Sequence, residues 1–145
     1  VENDGKSGRT VTVDVVGAHE PSALTGGKSL ALRKAPKTVV DTSSDLQLAA
    51  LIAGSIKDFK LGDAVSGDAD SVLLQVTARR ASSAGTLTFW RPGGARPGTV
   101  DLSVAPGQTV TGTVVAGIGD GRSVRVRNSG AKGVDVRITV LGAFR

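Results

Sequence analysis

Apolar and polar residues alternate over most of the second half of the chain. In VDVRITVL, residues 134–141, Val134, Val136, Ile138 and Val140 fall on one side and Asp135, Arg137 and Thr139 on the other. That is the period-2 pattern of a half-buried strand. SVRVRN (123–128) places Val124 and Val126 inward and Arg125 and Arg127 outward. Between the two runs lies NSGAKG, whose Asn and Gly suit positive φ, so residues 122–141 are expected to form a hairpin. SVLLQVTAR (71–79) sets Val72, Leu74 and Val76 against Ser71, Leu73, Gln75 and Thr77; GTLTFWR (85–91) sets Leu87 and Phe89 against Thr86, Thr88 and Trp90. Further on, Val100, Leu102 and Val104 lead to a Pro106-Gly107 turn and then to Val110, Gly112 and Val114, with Thr109, Thr111 and Thr113 facing the other way. RPGGARPG (91–98) holds two Pro and three Gly and reads as a loop.

The first half is less regular. GKSLALRK and KTVVD resemble short strands, and HEPSALTGG (19–27) a linker. DTSSDLQLAALIAG (41–54) suits either a short helix, capped by Ser44 or Asp45 with Leu48, Leu51 and Ile52 as its stripe, or an irregular strand. About nine or ten strands at a spacing of roughly 8–12 residues, with at most one short helix, point to an all-β fold. The expected architecture is an antiparallel β-sandwich with jelly-roll or immunoglobulin-like layering.

Composition narrows this picture. Of 145 residues, 39% are apolar but only 3% aromatic, so the core must be built from Val, Leu, Ile and Ala. There is no Cys, which excludes disulfides and thiolate metal sites. No apolar run approaches the roughly 20 residues a spanning helix needs, so no membrane span is expected. The first residue is Val and no signal peptide is visible, so the chain reads as a mature or trimmed form.

One phrase occurs twice. NDGKSGRTVTVDVVGA (3–18) aligns without gaps on NSGAKGVDVRITVLGA (128–143), matching at Asn3/Asn128, Gly5/Gly130, Gly8/Gly133, Val11/Val136, Val15/Val140, Gly17/Gly142 and Ala18/Ala143. From residue 35 onward the order of motifs also resembles a repeated β-sandwich module of secreted actinobacterial proteins. That module opens on a PTRVLDTR-like stretch, matched by APKTVVDTSS (35–44). VVLNVT-like and GYLTVYP-like strands follow, matched by 72–77 and 85–92. An AGQTV-containing stretch, a GKV-containing hairpin and a closing VDV.GYF correspond to 100–110, 118–130 and 134–144. The chain departs from the pattern at Thr86 and Trp90, where Tyr is usual, and over 45–62. The resemblance implies a secreted, extracellular protein. It also implies a division into residues 1–27, similar to the end of a preceding module plus a linker, and a single sandwich domain over 28–145. The alternative is that the opening segment is the first strand of one fold and the likeness an internal duplication.

Enzyme chemistry finds few residues. His19 is the only histidine and sits in the linker-like stretch; there is no nucleophile elbow, and no catalytic residues or cofactor are expected. Asp63, Asp68 and Asp70 crowd GDAVSGDAD (62–70), but the order of a calcium loop is missing and a polar loop is expected, with no metal. SALTGGKS (22–29) lacks the first Gly of a phosphate loop, and GIGDGRS (117–123) reads as a hairpin turn. The net charge is 18 − 13 = +5. Arg125, Arg127 and Arg137 are expected on the outer face of one hairpin, with Arg79, Arg80, Arg91 and Arg96 in nearby loops. Nucleic acid is not expected, because stacking aromatics are scarce. Trp90 is either an exposed platform for a sugar ring or a packed side chain.

The leading expectation is a non-enzymatic, secreted adaptor or assembly module in a larger extracellular complex, such as a toxin particle or surface structure. Its partners would be other secreted proteins of that complex. The segment 1–20 would add as a strand to a partner, with Val11, Val13 and Val15 setting register. The alternative is a carbohydrate or cell-wall binding module using Trp90, Arg91, Arg125 and Arg127.

Overall fold

The computed structural model describes residues 28–44 and 49–145. Eight strands account for most of them: β1 (Leu30–Asp41), β2 (Ile56–Lys60), β3 (Ser71–Arg79), β4 (Gly85–Trp90), β5 (Leu102–Val104), β6 (Val110–Gly117), β7 (Ser123–Asn128) and β8 (Asp135–Phe144). The only helical piece among the described residues is a single 3-10 turn, Gly62–Ala64. Two four-stranded antiparallel sheets form, ordered β1-β8-β3-β6 and β2-β7-β4-β5. Of the consecutive strands, only β4 and β5 are sheet neighbours; every other connection crosses from one sheet to the other. This is the double Greek-key arrangement of a jelly roll.

Alternation along each strand builds the core. Val72, Leu74 and Val76 of β3 and Val136, Ile138 and Val140 of β8 face Leu87 and Phe89 of β4 and Val124 and Val126 of β7, all buried. These are mostly β-branched side chains, which fit a pleated surface and lose little rotamer freedom there. Fully burying each such side chain is worth about 1.5–3 kcal/mol.

The hairpin expected over 122–141 does not form. β7 pairs with β2 and β4, and β8 with β1 and β3, so the loop between them arches from one sheet to the other. A period-2 pattern specifies which face of a strand is buried but not which strand lies beside it. Asn128 holds the arch. Its side chain is buried at 2% exposure. The two N–H groups of its Nδ2 are shared among the carbonyls of Leu51 (3.0 Å), Ile52 (3.2 Å) and Lys132 (2.9 Å), and its Oδ1 accepts from Gly130 N–H (2.8 Å). Gly130 is not required for positive φ, as the turn reading had it. The tight approach falls on the facing Gly85, where a Cβ would lie 2.6 Å from the Gly130 Cα; a Cβ on Gly130 itself would lie 3.0 Å from the Asn128 Oδ1.

Other expectations shift in the same way. The two short strands of the first half join as β1, a single edge strand whose pairing slips between Leu32 and Lys37, around Pro36. Val100 lies outside any strand and is exposed, and GIGDGRS joins β6 to β7 across the sheets. The stretch 41–54 shows no helix where it is described: Asp41 ends β1, Leu51 bridges to Val134, and residues 45–48 lie outside the described set. The Pro106-Gly107 turn is present, with Gly107 at φ 71.

Asn128→Ala removes four hydrogen bonds from a buried site. We expect it to cost about 2–3 kcal/mol, measured as a fall in the urea midpoint of the full chain.

Candidate functional site

A sheet ends in unpaired N–H and C=O groups, and most proteins blunt such edges. The four edges here are treated very differently. β1 carries Pro36, two register shifts, and Arg33, Lys34 and Lys37. β2 is five residues long and charged at Lys57, Asp58 and Lys60; Lys57 lies on the same side as the core residue Val126, its Nζ 5.4 Å from the Phe59 ring centroid. β5 has only three residues.

β6 has none of these devices. Its eight residues, VTGTVVAG, pair with β3 in unbroken register from Ser71↔Gly117 to Ala78↔Val110. No charged residue occurs between Asp101 and Asp120, and β6 contains no Pro. Val114 and Ala116 face the core; Thr111, Thr113 and Val115 are exposed on the outer face. Among the described residues, β3 alone pairs with its backbone. Hydroxyl pairs run across the outer face of this sheet, Thr77 with Thr111 at 2.9 Å and Thr38 with Thr139 at 3.0 Å.

The second candidate is a half-open polar pocket of about 360 Å³ at one end of the sandwich. It lies between the loop before β3 and the turn before β7 and is lined by Asp68, Asp70, Asp120, Arg91 and Arg122 among others. Arg122 follows Gly121, and both have positive φ, 54 and 69. For Arg this is sparsely populated backbone. Its guanidinium donates to the Val65 carbonyl at 3.3 Å. The acidic stretch 62–70 does not converge: Asp63 pairs with Lys37 at 2.5 Å, Asp70 pairs with Lys28, and Asp68 bonds to Ser66. Among the described residues no three metal-ligating side chains come together.

No protein-family model matches this chain, and no curated protein sequence matches it.

The residues named for glycan binding are scattered. Trp90 is only 7% exposed, so it presents no open ring platform. Arg125, opposite Trp90 on the outer face of the second sheet, is held by Asp58 through two bonds of 2.7 and 2.8 Å. Arg127 is half-buried beside Thr88. Arg91 alone of the set reaches the end pocket. Arg137 lies in the other sheet, so the single basic face expected from a hairpin does not exist. Val11, Val13, Val15 and His19 lie outside the described residues. The reading of the sequence missed the β6 edge, although its uncharged run was a visible signal; strand order was not.

One ion cluster is structural. Burial opposes ionisation of Asp41, but hydrogen bonds from the Ser43 hydroxyl, Arg79 and the Ser43 N–H, together with the Arg79 charge, outweigh it and lower the carboxyl to about 2. The Arg79–Asp41 distance is 2.6 Å, and Asp41 is 18% exposed. Because the folded value lies below the ordinary 3.8, the stabilisation is complete above about pH 4 and is lost as pH falls toward 2. Asp41→Asn should therefore cost about 1–2 kcal/mol at pH 7, and the difference from wild type should close between pH 4 and pH 2 in acid-titrated denaturant melts.

Proposed function

We propose that this chain is a non-enzymatic, secreted β-sandwich that acts as an adaptor or assembly module in a larger extracellular complex, joining proteins by strand addition. The observation that carries this reading is the β6 edge, which is long, uncharged and regular while the other three are short, charged or interrupted. A strand laid on such an edge gains main-chain hydrogen bonds, and alternate side chains set its register. The segment 1–20, with Val11, Val13 and Val15 alternating with polar residues, is suited to the donor's part. The resemblance to modules of secreted actinobacterial proteins supports the extracellular setting.

Removing residues 1–20 tests it. The shortened chain should keep its β-type circular dichroism and lose capture of partner proteins from the native secretion. Unchanged capture by a folded, shortened chain overturns the reading.

Carbohydrate or cell-wall binding is a second reading, favoured by one observation, the polar end pocket that takes in Arg91. Carboxylate and guanidinium groups suit sugar hydroxyls and acidic sugars. Under this reading Arg91→Ala should reduce co-sedimentation with cell walls at least tenfold and leave protein capture intact, whereas Trp90→Ala should act mainly on stability.

A further inference from the structure

We propose that β6 accepts the segment Thr10–Val15 of a second copy of this chain, so that copies join head to tail. The inference rests on strand addition as proposed above and names both donor and acceptor.

The two sequences fit residue by residue. Laid antiparallel with Thr12 beside Thr113, the donor pairs Val11 with Val114, Val13 with Gly112 and Val15 with Val110, all on the core-facing side of β6. Val13 then stands beside Gly112, over which Leu102 Cδ1 already lies, 2.8 Å from where a Cβ would sit. On the outer face Thr10 meets Val115, Thr12 meets Thr113 and Asp14 meets Thr111. Threonine pairs across strands already span this face at Thr77/Thr111 and Thr38/Thr139, so the addition continues the existing pattern. The donor also shares the alternation of β8, a strand that pairs antiparallel on both its sides.

Chain connectivity favours a second copy over the same chain. Lys28 is tied by its ion pair to Asp70, and Ser29 exchanges backbone hydrogen bonds with Arg145 at 3.0 and 3.2 Å. The described residues therefore begin on the β1 side, and β1 and β6 are opposite edges of the same sheet. Leu30, Phe144, Ser71 and Gly117 form one row across that sheet, so Lys28 lies at the Gly117 end. A donor running antiparallel to β6 would finish at the Val110 end. Residues 16–27 would then have to return the length of the sheet and cross four strand spacings, about 35 Å against a fully extended reach of about 45 Å. They contain Pro21 and three glycines, Gly17, Gly26 and Gly27, and would have to stay far more extended than the roughly 20 Å that a flexible chain of that length spans. A donor from a neighbouring copy meets no such constraint. Donor and acceptor are different surfaces, so the contact is heterologous and propagates into rings or filaments.

Two full-length variants test this. Val11→Lys/Val13→Lys disables the donor by placing charge on its core-facing side, and Thr111→Lys/Thr113→Lys blunts the acceptor at exposed positions that leave the core untouched. Circular dichroism and melting temperature establish that both are folded. In sedimentation velocity, wild-type mass should rise with concentration beyond twice the 14.6 kDa monomer. Each variant alone should remain monomeric, and an equimolar mixture should form a dimer and stop there, because one intact donor and one intact acceptor remain. Three results overturn the proposal: a wild type that stays monomeric, a donor variant that still assembles, which would mean edge-to-edge pairing of two β6 strands, or a mixture that gives no dimer. If self-assembly fails while removal of residues 1–20 still abolishes partner capture, the adaptor reading stands and only the identity of the acceptor falls.

Discussion

The fold depends on the arch that parts β7 from β8. These two strands lie at the middle of different sheets, and each carries a fully buried row of valine or isoleucine. Both sheets therefore close around a loop of six residues, Ser129–Val134, that must cross the sandwich without leaving polar groups unsatisfied. The Asn128 amide solves this by bonding three carbonyls and one N–H at once. Two of those carbonyls, on Leu51 and Ile52, belong to the distant β1–β2 connection, so the same side chain fixes the loop on which β2 begins. A buried amide satisfied on every side is costly to disturb, because its partners have no water to turn to.

The all-β class was legible because burial repeats every second residue, and the rows at 72–76, 124–126 and 134–140 are the rows found in the core. Neighbour relations were not legible. A short Gly-containing connection that follows Asn128 suits a hairpin locally, and nothing local distinguishes it from an arch. The difference lies in Leu51, Ile52 and Gly85, more than forty residues away in sequence. Mistaking the arch for a hairpin also displaced the arginines. Arg125 and Arg137 share a pattern but stand on opposite faces of the sandwich, each beside its own aspartate. Of the two readings open for Trp90, the packed one is found: it lies on the outer side of its strand by alternation and is buried all the same.

The edges show how differently one chain can treat equivalent positions. β1 and β2 place charge, proline or irregular pairing where another strand would otherwise dock. Among the described residues, β6 keeps a regular eight-residue ladder paired on one side only, to β3. An edge of that kind carries an aggregation hazard unless it has a designated occupant. The end pocket sits just past the Gly117 end of this edge, so occupancy of the edge and occupancy of the pocket involve adjoining parts of the molecule.

The single tryptophan makes the second sheet self-reporting. Its indole is shielded where β4 meets β7, opposite Arg125. Intrinsic fluorescence will therefore follow the integrity of that layer and its Asp58–Arg125 clasp. Because the next residue, Arg91, lies against Gly117 at the end of β6, the same indole also borders the layer on which a partner strand would dock.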